Sequence, residues 1–119
     1  MIYIRLPELL EELAVARSEK MLQKAINKYV RVKLLIMDEW LLTPISEDEA
    51  KGLFEIIERR ELKSSTIFCS QFKPQGWHER IEQATLGDAI LDRIMHNAHK
   101  IHIGGKKSMR EKKGVIKLD

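Results

Sequence analysis

Val32 to Met37 is an apolar run that ends abruptly at two adjacent acids, Asp38 and Glu39, and this segment decides the fold class. A continuous apolar run of that length reads as a buried parallel strand, because a strand covered on both faces does not alternate. Parallel neighbours cannot be joined by a tight turn and need a crossover, usually a helix. The rest of the chain supplies strands and helices in turn. Ile2 to Arg5 is short and β-leaning. Leu6, Leu9, Leu10 and Leu13 then recur at helical spacing, with Pro7 suited to a first turn. Leu22, Ala25, Ile26 and Tyr29 give a second helical phase. The expected fold is α/β.

Beyond the acids, Ser46 followed by Glu49 forms a capping box. The helix it opens puts Ala50, Leu53, Phe54 and Ile57 on one stripe and ends in charge from Glu58 to Glu61. Ser65 to Ser70 is a second β-rich run, and Pro74 to Ile81 reads as a short helix carrying Trp77. Thr85 with Asp88 resembles another box, opening a helix that buries Leu91, Ile94, Met95 and Ala98. Lys100 to Ile103 is a last strand, closed by Gly104-Gly105. This alternation is the mark of βα units around a parallel sheet.

A chain of 119 residues makes one domain. No run approaches the roughly 18 apolar residues of a membrane span, and Met1 to Pro7 lacks a signal-peptide pattern. The single cysteine, Cys69, cannot form an internal disulfide, so the expected compartment is the cytoplasm. The net charge of +3 is unevenly spread: from Lys100 to Lys113 the chain carries Lys100, Lys106, Lys107, Arg110, Lys112 and Lys113 against Glu111 alone. The expected organisation is an α/β domain over 1–103 and a basic tail over 104–119. On charge alone the tail is either a phosphate-backbone contact or an ordinary solvated terminus.

Ligands bind beyond the carboxyl ends of parallel strands, which is where Asp38 and Glu39 fall. In nucleoside triphosphatases a first acid holds the water shell of Mg²⁺ while a second polarises the attacking water. The plainer alternative is a polar stop where a buried strand meets solvent. Ser70-Gln71 ends the next strand and could position a water or a phosphate oxygen, or simply turn the chain. Arg93 falls about 60° outside the buried stripe of its helix. There it either reaches a neighbouring molecule or pairs with a nearby acid. The four histidines show no zinc spacing, and Cys69 reads as a small buried hydrophobe.

Taken in order, Ile2 to Leu10, Leu34 to Glu39, Ser65 to Gln71, Trp77-His78-Glu79, Asp88 to Arg93 and Gly105 to Arg110 resemble the IstB-like proteins. These are helper ATPases of insertion-sequence transposition, AAA+ proteins related to the helicase loader DnaC. The resemblance covers nearly the whole chain. It implies ATP and Mg as cofactors, with Asp38 and Glu39 as the Walker B pair and Asp38 meeting Mg through water. It puts Ser70 at the sensor 1 position, Arg93 at the arginine-finger position and Arg110 near a sensor 2 arginine. It also implies DNA, a transposase and further copies of the protein as partners, and Lys106, Lys107, Arg110, Lys112 and Lys113 as candidate DNA contacts.

The chain departs from the family pattern at one place. A Gly-x-x-x-x-Gly-Lys-[Ser/Thr] loop should precede the acid pair, and Gly104-Gly105-Lys106-Lys107-Ser108 is no substitute. That segment follows the acids, its Lys-Ser step is interrupted and no apolar helix comes after it. The expected fold is therefore a truncated AAA+ domain without its first strand and P-loop. Alone it should hydrolyse ATP negligibly. The alternative is a non-catalytic remnant that binds DNA or a transposase. Within the family's strand order, 5-1-4-3-2, a missing first strand leaves a gap beside the strand ending at Ser70. The last strand then shifts inward, a partner fills the gap, or the domain is marginal in stability.

Overall fold

The computed structural model describes residues 1–97 and 99–102. Four strands, β1 (Ile2–Arg5), β2 (Leu34–Asp38), β3 (Ser65–Ser70) and β4 (His99–His102), form one parallel sheet in the order β1-β2-β3-β4. Helices α1 (Leu6–Ser18) and α2 (Leu22–Arg31) connect β1 to β2. Helix α3 (Glu47–Arg60) leads into β3, and α4 (Ala84–Asn97) into β4. The α/β parallel-sheet fold read from the sequence is the fold observed.

Because the strand order follows the chain order, every crossover steps the same way across the sheet. Right-handed crossovers in a single direction all fall on one face. The core shows this directly: Leu9, Leu13, Ile26, Leu53, Ile56, Ile90 and Ile94 from all four helices pack on Leu35, Met37 and Phe68. The opposite face carries a separate small cluster, Cys69 with Ile36 and Ile67, to which no described helix contributes. Helices α1 and α3 meet closely at Gly52, where an added Cβ would lie 3.1 Å from Leu13 Cδ1.

The one-sided arrangement corrects the reading of Val32 to Met37 as covered on both faces. Leu35 and Met37 are fully buried, whereas Leu34, Ile36 and Asp38 are only half-buried. The run is apolar on both sides, but the described helices roof one of them. No gap separates β3 from the last strand. Ile67 pairs with His99 and Ser70 with His102, so the inward shift is the outcome seen.

Three local expectations also change. Pro74 to Ile81 forms two three-residue 3₁₀ turns, Pro74–Gly76 and His78–Arg80, rather than one helix. Trp77 between them is buried and donates from Nε1 to the Phe72 carbonyl at 2.9 Å. Helix α4 starts before Thr85, and Gln83 Oε1 accepts from the Leu86 N–H at 2.6 Å, the bond a capping side chain supplies. Met95 is 43% exposed and lies off the buried stripe that Ile90, Leu91 and Ile94 define. Ala98, Ile103 and the basic tail lie outside the described residues. Among the described residues no helix is long and apolar enough to cross a membrane.

Candidate functional site

The acid pair sits at the carboxyl edge of the sheet because β2 ends there. Register places Arg5 beside Asp38 and Tyr3 beside Ile36, so Tyr3, Arg5 and Asp38 share a face. Asp38 Oδ1 accepts the Glu39 N–H at 2.8 Å, and Oδ2 accepts the Tyr3 hydroxyl. That hydrogen bond, with burial and the negative carboxylate, pushes the Tyr3 phenol up to about 12. Glu39 points toward the same edge strand, with Oε2 3.4 Å from Arg5 Nη1. Arg5 also holds Glu8 through Nε at 3.1 Å, which raises the guanidinium pKa and lowers that of Glu8.

The backbone turns sharply at this point. Glu39 and Leu41 both adopt left-handed conformations, with φ of 54° and 56°. Such a conformation costs an L-residue about 1–2 kcal/mol and persists only where the surroundings fix it. They do here. The Trp40 N–H bonds the Cys69 carbonyl at 2.8 Å, carrying the β2–β3 pairing past Asp38. Trp40 is buried edge-on against Phe68 and Trp77, at ring separations of 4.7 and 6.0 Å. Arg80 fastens the loop from below, donating to the Leu41 carbonyl at 3.1 Å and the Leu42 carbonyl at 2.5 Å.

Ser70 ends β3 next to this turn. It is buried, donates to the Trp40 carbonyl at 3.0 Å and accepts the Phe72 N–H at 3.0 Å. Its hydroxyl thus locks two loops together. Asp38, Glu39 and Ser70 are gathered at one edge, as the sequence reading placed them.

Arg93 is elsewhere. It lines a small cavity with Arg60, Ser64 and Thr66, toward the amino edge of the sheet. Its Nη2 lies 3.1 Å from Glu58 Oε2 and its guanidinium carbon 5.1 Å from the Phe54 ring centroid. Arg93 is therefore paired inside the chain and does not reach the acid pair of its own subunit. Arg110, Lys106, Lys107, Lys112 and Lys113 lie outside the described residues.

A model of the family described as "IstB-like ATP binding protein" matches residues 1–115. The chain belongs to that family. It is 40% identical over 112 residues to "Putative insertion sequence ATP-binding protein y4pL" of Sinorhizobium fredii (strain NBRC 101917 / NGR234), covering 94% of this chain and 46% of that protein. A second protein of the same strain, y4uH, is 42% identical over 109 residues, covering 92% of this chain and 44% of its own length. The "Insertion sequence IS232 putative ATP-binding protein" of Bacillus thuringiensis subsp. berliner is 36% identical over 104 residues, with shares of 87% and 42%. The chain spans less than half the length of these relatives.

Family membership raises the question of what the edge can hold. Asp38 uses one acceptor position on each oxygen, and a carboxylate has about four. It therefore fits a metal-bound water. Phosphates are another matter: they need a nest of backbone N–H groups or a glycine-rich turn entering a helix. The sequence contains no such loop. A ligand crevice in an open sheet also needs a point where the strand order reverses, and this sheet has none among its described strands. The described residues fit the metal's water shell and, among them, nothing cradles the phosphates of a nucleotide.

Tyr3 and Arg5 are site residues that the sequence did not single out. The only signal was their alternation on β1, and alternation gives no pairing partner. Register alone reveals them.

Proposed function

We propose that this chain supplies the acidic side of the ATP site of an insertion-sequence helper ATPase, and does not complete that site from its own residues. The observation that carries the reading is the placement of Asp38 and Glu39 at the carboxyl edge of a parallel sheet in an IstB-like chain. In the completed site Asp38 orients a metal-bound water, and the Tyr3 hydroxyl and Glu39 N–H fix its rotamer. Glu39 is the base for the attacking water, with Arg5 holding its carboxylate at the edge until a substrate arrives. Bound ATP and Mg²⁺ would supply the transferable phosphoryl group and the charge that neutralises it. Ser70 holds the Trp40 carbonyl, and so the loop, at the sensor position. Arg93 acts on a neighbouring subunit after leaving Glu58. The tail cations Lys106, Lys107, Arg110, Lys112 and Lys113 meet DNA, Arg110 also nearing the nucleotide. A transposase is the protein partner, in the cytoplasm.

A chimera tests this. Replacing the matching segment of y4pL with this chain should give a protein that binds ATP and hydrolyses it with Mg²⁺. Glu39→Gln in that chimera should spare binding and lower turnover at least a hundredfold, the scale of a lost general base, ~10²–10⁴. The 119-residue chain alone should show no turnover. A folded, ATP-binding chimera whose rate survives Glu39→Gln sinks the reading.

A further inference from the structure

Helices α1 and α2 form an antiparallel hairpin with an open groove of about 920 Å³ along its outer side. The floor is apolar and exposed where it matters, with Val15 50% and Met21 45% accessible. The two walls have opposite signs. Helix α1 presents Glu11 and, in the turn after it, Glu19; α2 presents Lys24 and Arg31. None of these four has an ion-pair partner among the described residues, whereas Lys28 and Glu12 already pair across the groove at 2.5 Å.

We propose that this groove is a self-association surface that receives the same hairpin from a second copy of the chain. The argument is charge complementarity. A two-fold contact presents identical patches to each other. With the two-fold axis running along the groove, each acidic wall meets the partner's basic wall, and the Val15–Met21 floors cover one another. A partner of uniform sign, such as a nucleic acid, gains on one wall and is repelled by the other. The groove's own pattern is the pattern that complements it. The inference does not depend on the nucleotide reading, because it concerns another face and its test contains no nucleotide.

Sedimentation of the 119-residue chain at low ionic strength decides the matter, with circular dichroism confirming that each variant folds. The wild-type chain should dimerise reversibly, and salt should weaken the dimer. The pair Glu11→Lys with Glu19→Lys makes the groove predominantly basic; Lys24→Glu with Arg31→Glu makes it predominantly acidic. Each double variant should associate with itself at least about tenfold more weakly, and the two mixed together should form a heterodimer. The milder Glu11→Gln with Glu19→Gln gives an intermediate loss if charge reversal disturbs folding. A monomeric wild type, undiminished association in the variants, or folded opposites that ignore each other overturns the proposal. So does a monomeric chain that retards a DNA duplex through Lys24 and Arg31.

Discussion

The two edges of the sheet treat charge in opposite ways. At the carboxyl edge Asp38 and Glu39 are half-buried, and their partners Tyr3 and Arg5 lie on an exposed edge strand. At the amino edge Arg60 is 2% exposed and spends its guanidinium on fixed acceptors. It donates to Thr66 Oγ1 at 2.8 Å and to the carbonyls of Tyr29, Val32 and Ser65 at 2.8, 2.6 and 2.6 Å. Those carbonyls close α2, enter β2 and enter β3. One buried cation thus ties three chain segments, although burial lowers its pKa. The acids keep acceptor capacity for something that arrives, whereas the arginine is committed to acceptors of its own chain. Stability is concentrated at one edge and chemistry is left available at the other.

The largest test of that contrast is Arg60→Met. Methionine fills much of the volume but leaves three carbonyls and a hydroxyl without their donor, at about 1–3 kcal/mol for each group that water cannot reach. The expected loss is about 3–5 kcal/mol in denaturant unfolding, in the range reserved for broken buried networks. Asp38→Asn, at the other edge, should cost below about 1 kcal/mol. Equal losses at both positions would erase the distinction.

Arg60 also shows what the sequence hid. Glu58 to Glu61 reads as a solvated helix end, yet position 60 lies seven residues after Leu53, four after Ile56 and three after Ile57, on the buried stripe. The period was visible, and a charged residue type masked it. The Ser46–Glu49 capping box was legible because its signal is local: Glu49 Oε1 accepts the Ser46 N–H at 2.8 Å and Ser46 Oγ the Glu49 N–H at 3.3 Å. Gln83 escaped notice because glutamine is not a preferred capping residue. The position of Asp38 and Glu39 followed from the end of an apolar run. Their partners did not, because pairing register is a tertiary property. The one-sided roof follows from strand order, which composition and periodicity do not encode.

A pH titration sharpens the same comparison. Tyr3 is raised to about 12 mainly by its bond to Asp38, and Tyr29 is raised by burial and by Glu12. These are the only two tyrosines, so no phenol of the folded chain should ionise near the ordinary value of 10. A raised folded pKa favours the protonated phenol. Its stabilisation is complete below pH ~10 and is lost as pH rises toward about 12. Tyr3 is half exposed, so solvent screening holds its share to about 0.5–1 kcal/mol. In Asp38→Asn one phenol should return toward 10 in an ultraviolet titration while the other stays high. Two unmoved phenols would mean that Tyr3 does not depend on Asp38.

The smallest effect lies in the backbone of Glu39, whose φ of 54° sits where only glycine is at ease. Glu39→Ala and Glu39→Gly both remove the 3.4 Å contact with the exposed Arg5, so that loss is common to the two and cancels in their difference. They differ in strain. Alanine keeps the Cβ that disfavours the left-handed region, and glycine does not. Glycine is also the more flexible residue when unfolded, which offsets part of its advantage. The glycine variant should therefore be the more stable of the two by about 0.5–1 kcal/mol, measured as a difference in unfolding midpoints. The reverse order would show that the turn imposes no strain on Glu39. The left-handed turn would then be ordinary loop geometry, and the carboxyl edge would differ from the amino edge in exposure alone.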